Sequence, residues 1–470
     1  MKPAGDALLR VVNPATEEEI GSVPRSTEAD VDEAVAAARA AFDNASGWAT
    51  WSPAKRQEAL VRFADELEAR ADEMARRVTS QNGMPIATAA AFEGGFPHVL
   101  LRYYSQLMVD RAESERRPGM FGGTSLVLKC PVGVVAAVVP WNVPQGITFL
   151  KLAPALAAGC TVVLKPADET VLDAFLMAEA AHAAGLPDGV LNVVPGDRQI
   201  GAYLVEHPGV DKVSFTGSTA AGRSIAEACG RLLRPVTLEL GGKSAAVILD
   251  DADLSEDLDR FFGATLTNNG QICWLNTRIL APRSRYEEIV DAVTDMARSA
   301  VVGDPLDPST TIGPLVSSRQ RERVEGYIRK GVEEGARLTT GGARPRGLER
   351  GYFLEPAVFA DVDNASTIAR EEIFGPVLTV IPYSTEAEAI CIANDSEYGL
   401  GGTVWTRDPE RAESVARRMR TGTVGINAYS NDPAAPFGGV KSSGLGRELG
   451  PEGLDAFEVF KTIYLDPRLS

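Results

Sequence analysis

The sequence predicts an α/β protein built on doubly wound parallel sheets. From residue 132 onward, short apolar runs alternate with helix-like stretches, which is the pattern of parallel strands covered by helices on both faces. A second alternating series begins near residue 242. The 470 residues also exceed what one hydrophobic core normally supports. We therefore predict two such domains.

The first third of the chain is predicted to be mainly helical after a short extended start. Residues 26–42 open with a capping signature and continue with alanine-rich helical periodicity. Residues 52–78 have apolar side chains near helical spacing throughout, with Ser52 as the N-cap and Pro53 at the first helical position. This second stretch is therefore also predicted to be helical.

The next segment predicts the first sheet. Its strand-like runs lie at 132–139, 161–165, 190–194, 212–215 and 235–240. Helix-like stretches separate them at 145–159, 171–185, 197–207 and 220–230. Ligands of such sheets bind at the carboxyl ends of the strands. The segments "PWNVP", "KPADE" and "FTGST", each directly after a strand, are therefore expected at one rim.

The remaining strand-like runs predict the second sheet. They are "SAAVILDD" (244–251), "TRILAP" (277–282), "EEIFGPVLTVIPY" (371–383) and "GTVGIN" (422–427). A reaction centre is expected in the cleft between two such domains.

Composition excludes several classes of protein. The net charge of −17 argues against nucleic-acid binding, and no apolar run approaches the roughly eighteen residues of a membrane helix. Three histidines without metal-ligand spacing make a metal site improbable. Five widely spaced cysteines and a start without a signal-peptide core favour reduced thiols and a cytoplasmic location.

Several motifs carry chemistry, and each has a plainer interpretation. Cys273 in "NNGQICWLN" is either a nucleophile or a structural thiol, and no histidine stands in a recognisable catalytic setting for it. Glu239 lies within an apolar strand, either as a base or as a satisfied core carboxylate. "KPADE" can contact a ribose or form a solvated loop. "FTGSTAAG" can hold a pyrophosphate at a helix N-terminus or be an ordinary turn.

Taken together, the motifs resemble the NAD(P)-dependent aldehyde dehydrogenase superfamily. The resemblance starts at "VVNPATEEEIGSVP" (11–24), runs almost to the C-terminus and keeps the family's order. The motifs that carry it are "PWNVP", "KPADE", "FTGST", "LELGGKS", "NNGQIC", "EEIFGPV", "GINAY" and "PFGGVKSSGLGRELG". The resemblance implies an aldehyde dehydrogenase-like α/β fold, with two doubly wound parallel domains and a small β oligomerisation module.

The resemblance also assigns catalytic roles. Cys273 matches the nucleophile, which forms a thiohemiacetal and then a thioester. Asn142 matches the side-chain donor of the oxyanion hole. Glu239 matches the base that activates water for hydrolysis, and Lys151 and Glu448 match its proton relay.

For the cofactor, the resemblance implies NAD held by residues of several loops. Lys165 and Asp168 match contacts to the adenosine ribose. Gly217 and Ser218 match the pyrophosphate turn. Glu372 and Phe374 match the residues that hold the nicotinamide ribose and ring, and Trp141 would line the same groove. Asp168 stands where the family often has glutamate; an acid there favours NAD, although the shorter side chain leaves NADP possible.

The substrate is expected to be a medium-sized hydrophobic aldehyde, whether aliphatic, aromatic or terpenoid. The apolar "PWNVPQGITFL" segment, Trp274 and the loop 427–437 suggest this, with Trp274 either lining the tunnel or pointing into the core. Betaine-type and semialdehyde substrates are the alternatives. A CoA-acylating relative would generally lack Glu239, and a silent NAD-binding protein should have lost a catalytic residue. A cofactor-free cysteine hydrolase would leave the cofactor motifs without purpose.

The resemblance finally implies a division into three parts. The dinucleotide-binding domain is predicted at 1–108 and 132–241, the catalytic domain at 242–455, and the oligomerisation module at 109–131 and 456–470. A homodimer or homotetramer is expected.

Overall fold

A computed structural model describes residues 7–466 of the chain. The first six residues of the predicted segment 1–108 and the last four of 456–470 lie outside the described residues. The strands are β1 Leu8–Asn13, β2 Glu18–Pro24, β3 Ser114–Pro118, β4 Thr124–Pro131, β5 Val134–Val138, β6 Thr161–Lys165, β7 Leu191–Val193, β8 Lys212–Thr216, β9 Val236–Glu239, β10 Ala245–Ile248, β11 Arg278–Pro282, β12 Arg337–Thr340, β13 Ala357–Ala360, β14 Val377–Tyr383, β15 Gly402–Trp405, β16 Gly425–Ile426, β17 Gly444–Leu445 and β18 Glu458–Leu465.

The helices cover both faces of the larger sheets. They are α1 Glu28–Asp43, α2 Pro53–Glu68, α3 Ala71–Asn82, α4 Ile86–Ala89, α5 Phe96–Asp110, α6 Pro144–Ala158, α7 Leu172–Ala183, α8 Arg198–Glu206, α9 Thr219–Arg231, α10 Leu254–Thr265, α11 Tyr286–Ser299, α12 Ser318–Glu333, α13 Thr367–Arg370, α14 Glu386–Asn394, α15 Pro409–Ala416 and α16 Gly450–Asp455. A π-helical turn at Ala90–Gly95 joins α4 to α5. Between residues 7 and 466, no helix is both long and apolar enough to cross a bilayer.

The first large sheet has six strands in the order β17-β9-β8-β5-β6-β7. Its strands β5 to β9 pair in parallel, as the alternating pattern predicts. Their carboxyl ends therefore meet at one rim. The short strand β17 comes from far along the chain and pairs antiparallel with β9.

The second large sheet has seven strands in the order β12-β13-β14-β11-β10-β15-β16. Four of them, β10, β11, β14 and β16, fall within the runs that the sequence predicts. Strands β12, β13 and β15 are additional. Each has four residues. The periodicity of so short a run does not distinguish a strand from a helix.

The stretch 52–78, predicted to be helical, lies in two helices, α2 and α3. Ser52 caps α2 and Pro53 begins it, as predicted. The break is at Arg70, whose φ of −108° and ψ of 8° leave the helical region. Its side chain donates back to the Glu66 carbonyl at 2.8 Å. An arginine that caps a helix end in this way leaves no glycine or proline signal in the sequence.

The segments predicted to form the small β module contain β3, β4 and β18, which make a three-stranded antiparallel sheet in the order β18-β4-β3. β4 pairs with β18 over eight residues and with β3 through a hairpin. Phe460 and Tyr464 of the edge strand β18 are 72% and 83% exposed. Two large aromatic side chains on an open sheet edge are unusual for a surface that stays in water.

Candidate active site

Two cavities of the protein meet at Cys273. The larger has a volume of about 420 Å³, and the smaller one of about 250 Å³ lies at the rim of the first sheet. Asn142, Thr216 and Cys273 line both. A thiol in this position can be reached from either side, which a purely structural cysteine does not need.

The larger cavity is mainly apolar. Its aromatic side chains come from distant parts of the chain: Phe92, Phe96, Trp274, Tyr429 and Phe437. Smaller apolar lining residues are Ala91, Val143, Gly146, Ile147, Leu150, Gly263 and Ile272. The charged residues that line it are two carboxylic acids, Glu239 and Glu448.

The loop that carries Cys273 is held by a sharp backbone turn. Asn268, Asn269 and Gly270 all have positive φ values, of 54°, 61° and 74°. A Cβ at Gly270 would come within 2.2 Å of the Gly375 backbone, so the loop can lie against that segment only with glycine there. A Cβ at Gly242 would likewise lie 2.3 Å from the Cys273 carbonyl oxygen. Two glycines thus let the backbone close around the thiol.

The environment of Cys273 keeps its thiol protonated. Burial raises the pKa of the thiol, and the nearby acids Glu372 and Glu239 raise that pKa further. The backbone amides of Cys273 and Trp274 oppose this effect. Because the thiolate is the nucleophile, the sulfur needs a positive charge or a base in its vicinity before it can react.

Asn142 is fixed so that its amide faces the thiol loop. Its Nδ2 donates to the Gln271 carbonyl at 2.8 Å. The carbonyl of Asn142 accepts from Asn82 at 3.1 Å and from Asn268 at 2.9 Å. The side chain is 3% exposed. An amide held at both its backbone and its side chain is a preorganised donor.

Glu239 ends strand β9 and points into the larger cavity. It is 2% exposed, and neither of its carboxylate oxygens has a hydrogen-bond partner among residues 7–466. Burial raises the pKa of this carboxyl well above its ordinary value, and Glu448 adds to the rise. Lys151 and Arg447 act in the opposite direction. A raised pKa makes the ionised carboxylate a stronger base than an ordinary glutamate.

Lys151 and Glu448 form a buried ion pair behind Glu239. The Lys151 Nζ lies 2.5 Å from a Glu448 oxygen and donates to the Thr216 hydroxyl at 2.7 Å. The lysine is fully buried and the glutamate is 3% exposed. The structure therefore brings together all five residues to which the resemblance assigns catalysis.

The smaller cavity gathers five of the predicted cofactor residues. Trp141, Gly217, Ser218, Glu372 and Phe374 all line it. The rings of Trp141 and Phe374 meet edge to face with centroids 5.4 Å apart. Ser218 caps helix α9 by accepting from the Ala221 amide. The free amides at this helix start suit a phosphate.

Glu372 enters this cavity from the loop between α13 and β14. Its carboxylate accepts the Gly242 amide at 2.9 Å. Burial raises the pKa of Glu372 to about 7, against the lowering effect of that amide, Lys243 and Arg323. A buried acceptor in the smaller cavity suits a ribose hydroxyl.

Lys165 and Asp168, the other two predicted cofactor residues, lie at the same rim but do not line either cavity. Lys165 ends strand β6 and Asp168 follows it, and the Lys165 Nζ is 3.6 Å from an Asp168 oxygen. The Nζ also donates to the Pro166 carbonyl at 2.9 Å. Burial lowers the pKa of Lys165 and raises that of Asp168.

Trp274 lines the larger cavity. Its ring stacks on Tyr429 with centroids 4.5 Å apart and planes 15° from parallel. The Tyr429 hydroxyl in turn bonds the Thr423 hydroxyl. Of the two interpretations of Trp274 from sequence, the structure favours a residue of the tunnel wall.

Three cavity residues come from a segment that carries no recognisable site motif. Ala91, Phe92 and Phe96 lie in and beside the π-helical turn that joins α4 to α5. Thr216, the threonine of "FTGST", lines both cavities and was also missed. Apolar residues in a helix predict that its face is buried, but they do not show whether that face packs against the core or lines a cavity. Thr216 could have been found from its position at the end of a rim strand.

Comparison with known proteins gives matches along the whole chain. The model of the aldehyde dehydrogenase family matches residues 1–463. A geranial dehydrogenase of Castellaniella defragrans is 56% identical over 463 residues, or 98% of this chain and 96% of that protein. A Mycobacterium tuberculosis aldehyde dehydrogenase complexed with NAD+ has a TM-score of 0.97 and 49% identity, covering 99% and 96% of the two chains. Aldehyde dehydrogenase C of Pseudomonas syringae, a cysteine-to-alanine mutant with NAD+ and octanal, has a TM-score of 0.95 and 41% identity, covering 98% and 94%.

The fold and these similarities define an NAD-dependent oxidoreductase. The α/β fold class predicted from the sequence is confirmed. The chain belongs to the aldehyde dehydrogenase family.

Proposed function

We propose that the protein oxidises medium-sized hydrophobic aldehydes to carboxylic acids with NAD. The observation that carries this proposal is the position of Cys273 between an apolar cavity and a groove with dinucleotide-type contacts. The aldehyde would occupy the larger cavity and the cofactor the smaller one.

The first step uses Cys273 and Asn142. The deprotonated sulfur of Cys273 adds to the aldehyde carbon, and the carbonyl oxygen becomes an oxyanion of the thiohemiacetal. The Asn142 amide and the Cys273 backbone N–H are the donors that would stabilise this charge. Loss of a hydride from the same carbon then leaves a thioester on the sulfur.

Replacing Asn142 should slow this step strongly. We expect Asn142→Ala to lower kcat by about 10²–10³-fold, because one preorganised oxyanion donor is lost in a site that excludes water. Steady-state kinetics with a good substrate would measure the change, with NAD affinity as the control. A fall confined to KM would contradict the oxyanion role.

The residues of the smaller cavity fit NAD. Glu372 supplies a buried acceptor for a ribose, Gly217 and Ser218 a helix start for phosphate, and Trp141 with Phe374 an aromatic wall. When bound, NAD would accept the hydride. The Asp168 carboxylate at the rim would accept from a 2′-hydroxyl and repel a 2′-phosphate. NAD is therefore favoured over NADP.

Glu239 would complete the reaction. Its buried carboxylate takes a proton from water, which attacks the thioester and releases the acid. The Lys151–Glu448 pair would then carry the proton away from the cavity. A carboxylate base in this place supports hydrolysis over transfer of the acyl group to CoA.

The lining of the larger cavity supports a hydrophobic substrate. A semialdehyde would require a cation for its carboxylate, and the residues that line the cavity in the described chain include neither lysine nor arginine. The relatives named above act on, or were solved with, geranial and octanal. A betaine-type aldehyde is the second candidate, because the stacked Trp274 and Tyr429 rings could face a quaternary ammonium.

The test is NADH formation by purified protein without CoA. The panel would contain hydrophobic, aromatic, betaine-type and semialdehyde substrates, each with NAD and NADP. The highest kcat/KM is expected for a hydrophobic aldehyde with NAD. No turnover by a folded protein that binds NAD would favour a silent binding protein.

Trp274 should control the ranking within that panel. We expect Trp274→Ala to lower kcat/KM for long hydrophobic aldehydes by about 10-fold, because the substrate loses apolar contact. Acetaldehyde, which does not reach along the wall, should change much less. Trp274→Phe keeps an aromatic surface and serves as the matched variant. An equal loss for all chain lengths would show that Trp274 only supports the fold.

We also propose the predicted domain division, oligomeric assembly and cytoplasmic location. The three-stranded sheet and its exposed edge aromatics support the module at 109–131 and 456–470 as the surface of a homodimer or homotetramer. Both cavities draw residues from 132–241 and 242–455, as expected of a site between two domains. The cysteines are free thiols, which suits a reducing compartment.

A further inference from the structure

The first backbone N–H groups of helix α6 have no hydrogen-bond acceptor within the helix or at its N-cap side chain. The N-cap residue is Val143, whose side chain cannot accept a hydrogen bond, and Pro144 follows it. The next two amides, of Gln145 and Gly146, belong to buried residues. Buried amides at a helix start require an acceptor from elsewhere.

Glu93 supplies that acceptor from another helix. Its Oε2 accepts the Gln145 amide at 2.7 Å and the Gly146 amide at 3.1 Å. Glu93 lies in the π-helical turn between α4 and α5. One carboxylate therefore caps α6 from a segment about fifty residues earlier in the chain.

The same turn forms one wall of the larger cavity. Phe92, directly before Glu93, and Phe96 after it both line the cavity. The two segments are in close contact here, since a Cβ added at Gly146 would lie 3.0 Å from the Phe92 carbonyl oxygen. Any shift of the cap would therefore move this wall.

The start of α6, which Glu93 caps, is also close in sequence to the oxyanion donor. Asn142 precedes α6 by two residues, and Ile147 on the first turn of the helix lines the cavity. Glu93 thus connects two parts of the site. One is the cavity wall at Phe92, which would contact the aldehyde's hydrocarbon chain, and the other is the segment at Asn142, which would bind the aldehyde's oxygen.

Burial of the Glu93 carboxyl is energetically unfavourable. It is 1% exposed, and its Oε1 has no hydrogen-bond partner among residues 7–466. Burial raises the pKa of Glu93 to about 8, with a further rise from Asp173. Gln145 separates the two acids by donating to Asp173 at 2.5 Å. A buried acid is costly to retain, and the capping of α6 is the contact that offsets this cost.

We propose that Glu93 is a positioning residue for aldehyde oxidation. It holds the Phe92 wall and the Asn142 donor at one fixed separation, so that the carbonyl of a long aldehyde lies at the oxyanion donors. This inference rests on the proposed function.

The test compares variants that remove or keep the acceptor. Glu93→Ala should lower kcat for a long aldehyde about 10²-fold, as a displacement near 1 Å can do, while the Kd of NAD stays unchanged. Glu93→Gln keeps an oxygen acceptor and should restore most of kcat. Glu93→Asp retracts the acceptor and should lie between them. If Glu93→Ala does not fold, the Gln and Asp variants decide the question.

Asp408→Ala is the matched control. Asp408 caps α15 through the amides of Glu410 and Arg411, both at 3.0 Å, and Pro409 follows it as Pro144 follows Val143. Its loss should lower Tm without changing kcat.

Three results would overturn the proposal: wild-type kinetics in Glu93→Ala, a similar loss of kcat in Asp408→Ala, or a Gln variant no better than the Asp variant. A wild-type protein that oxidises no aldehyde would instead count against the proposed function itself.

Discussion

Cys273→Ala is expected to abolish aldehyde oxidation and leave a folded protein that binds NAD. Within the described chain, Cys273 is the cysteine that lines the cavities. Cys160 and Cys229 are buried elsewhere in the protein, and Cys391 is exposed. Loss of the nucleophile removes the covalent route altogether, so we expect kcat to fall by at least about 10⁴-fold.

Two measurements would support this result. NADH formation gives the rate, and quenching of tryptophan fluorescence gives the affinity for NAD, since Trp141 lines the cofactor groove. Cys391→Ala is the matched control and should keep full activity. Substantial turnover by Cys273→Ala would show that the reaction does not pass through this thiol.

The sequence predicts the first sheet well because its strands and helices alternate with clear signals. Strands β5, β6, β8 and β9 lie within or within one residue of the predicted runs. The division of α2 from α3 at Arg70 was not predicted, because it depends on a side chain that reaches back to the helix end. The four-residue strands of the second sheet were missed for a related reason: the sheet, and not their own periodicity, determines their conformation.

The candidate site likewise has a part that the sequence predicts and a part that it does not. Cys273, Asn142 and Glu239 stand in short motifs, and the structure places all three around one cavity. The walls could not be predicted from local sequence. Phe92 reaches the cavity through a π-helical turn, and the stack of Trp274 on Tyr429 joins residues more than 150 positions apart. Contacts of this kind follow from tertiary structure alone.

Burial gives the site an unusual set of acids. It raises the pKa of Glu372 to about 7 and that of Glu93 to about 8, and it raises the pKa of Glu239 well above its ordinary value. Within the described structure, Glu239 is the one acid of these three whose two carboxylate oxygens both lack a hydrogen-bond partner. A carboxyl without fixed partners can bind water and exchange a proton. The geometry therefore points to Glu239, and not to its neighbours, as the base for hydrolysis.

Glu239→Gln is expected to uncouple the two halves of the reaction. The amide cannot take a proton from water, so the thioester on Cys273 should form and then persist. Rapid mixing with NAD and aldehyde should give a burst of NADH close to one per active site. The following steady rate should be lower by about 10²–10⁴-fold, the usual contribution of a general base. Added hydroxylamine, which attacks thioesters directly, should restore turnover.

The pH dependence of the wild-type protein provides an independent check on Glu239. Its pKa is raised in the folded protein, so the carboxylate that serves as base is scarce at low pH and increases as the pH rises towards that pKa. Hydrolysis of the thioester should therefore accelerate as the pH rises. In Glu239→Gln the slow steady rate should lose this dependence. A variant that shows no burst, or one that keeps the wild-type pH profile, would mean that another group activates the water.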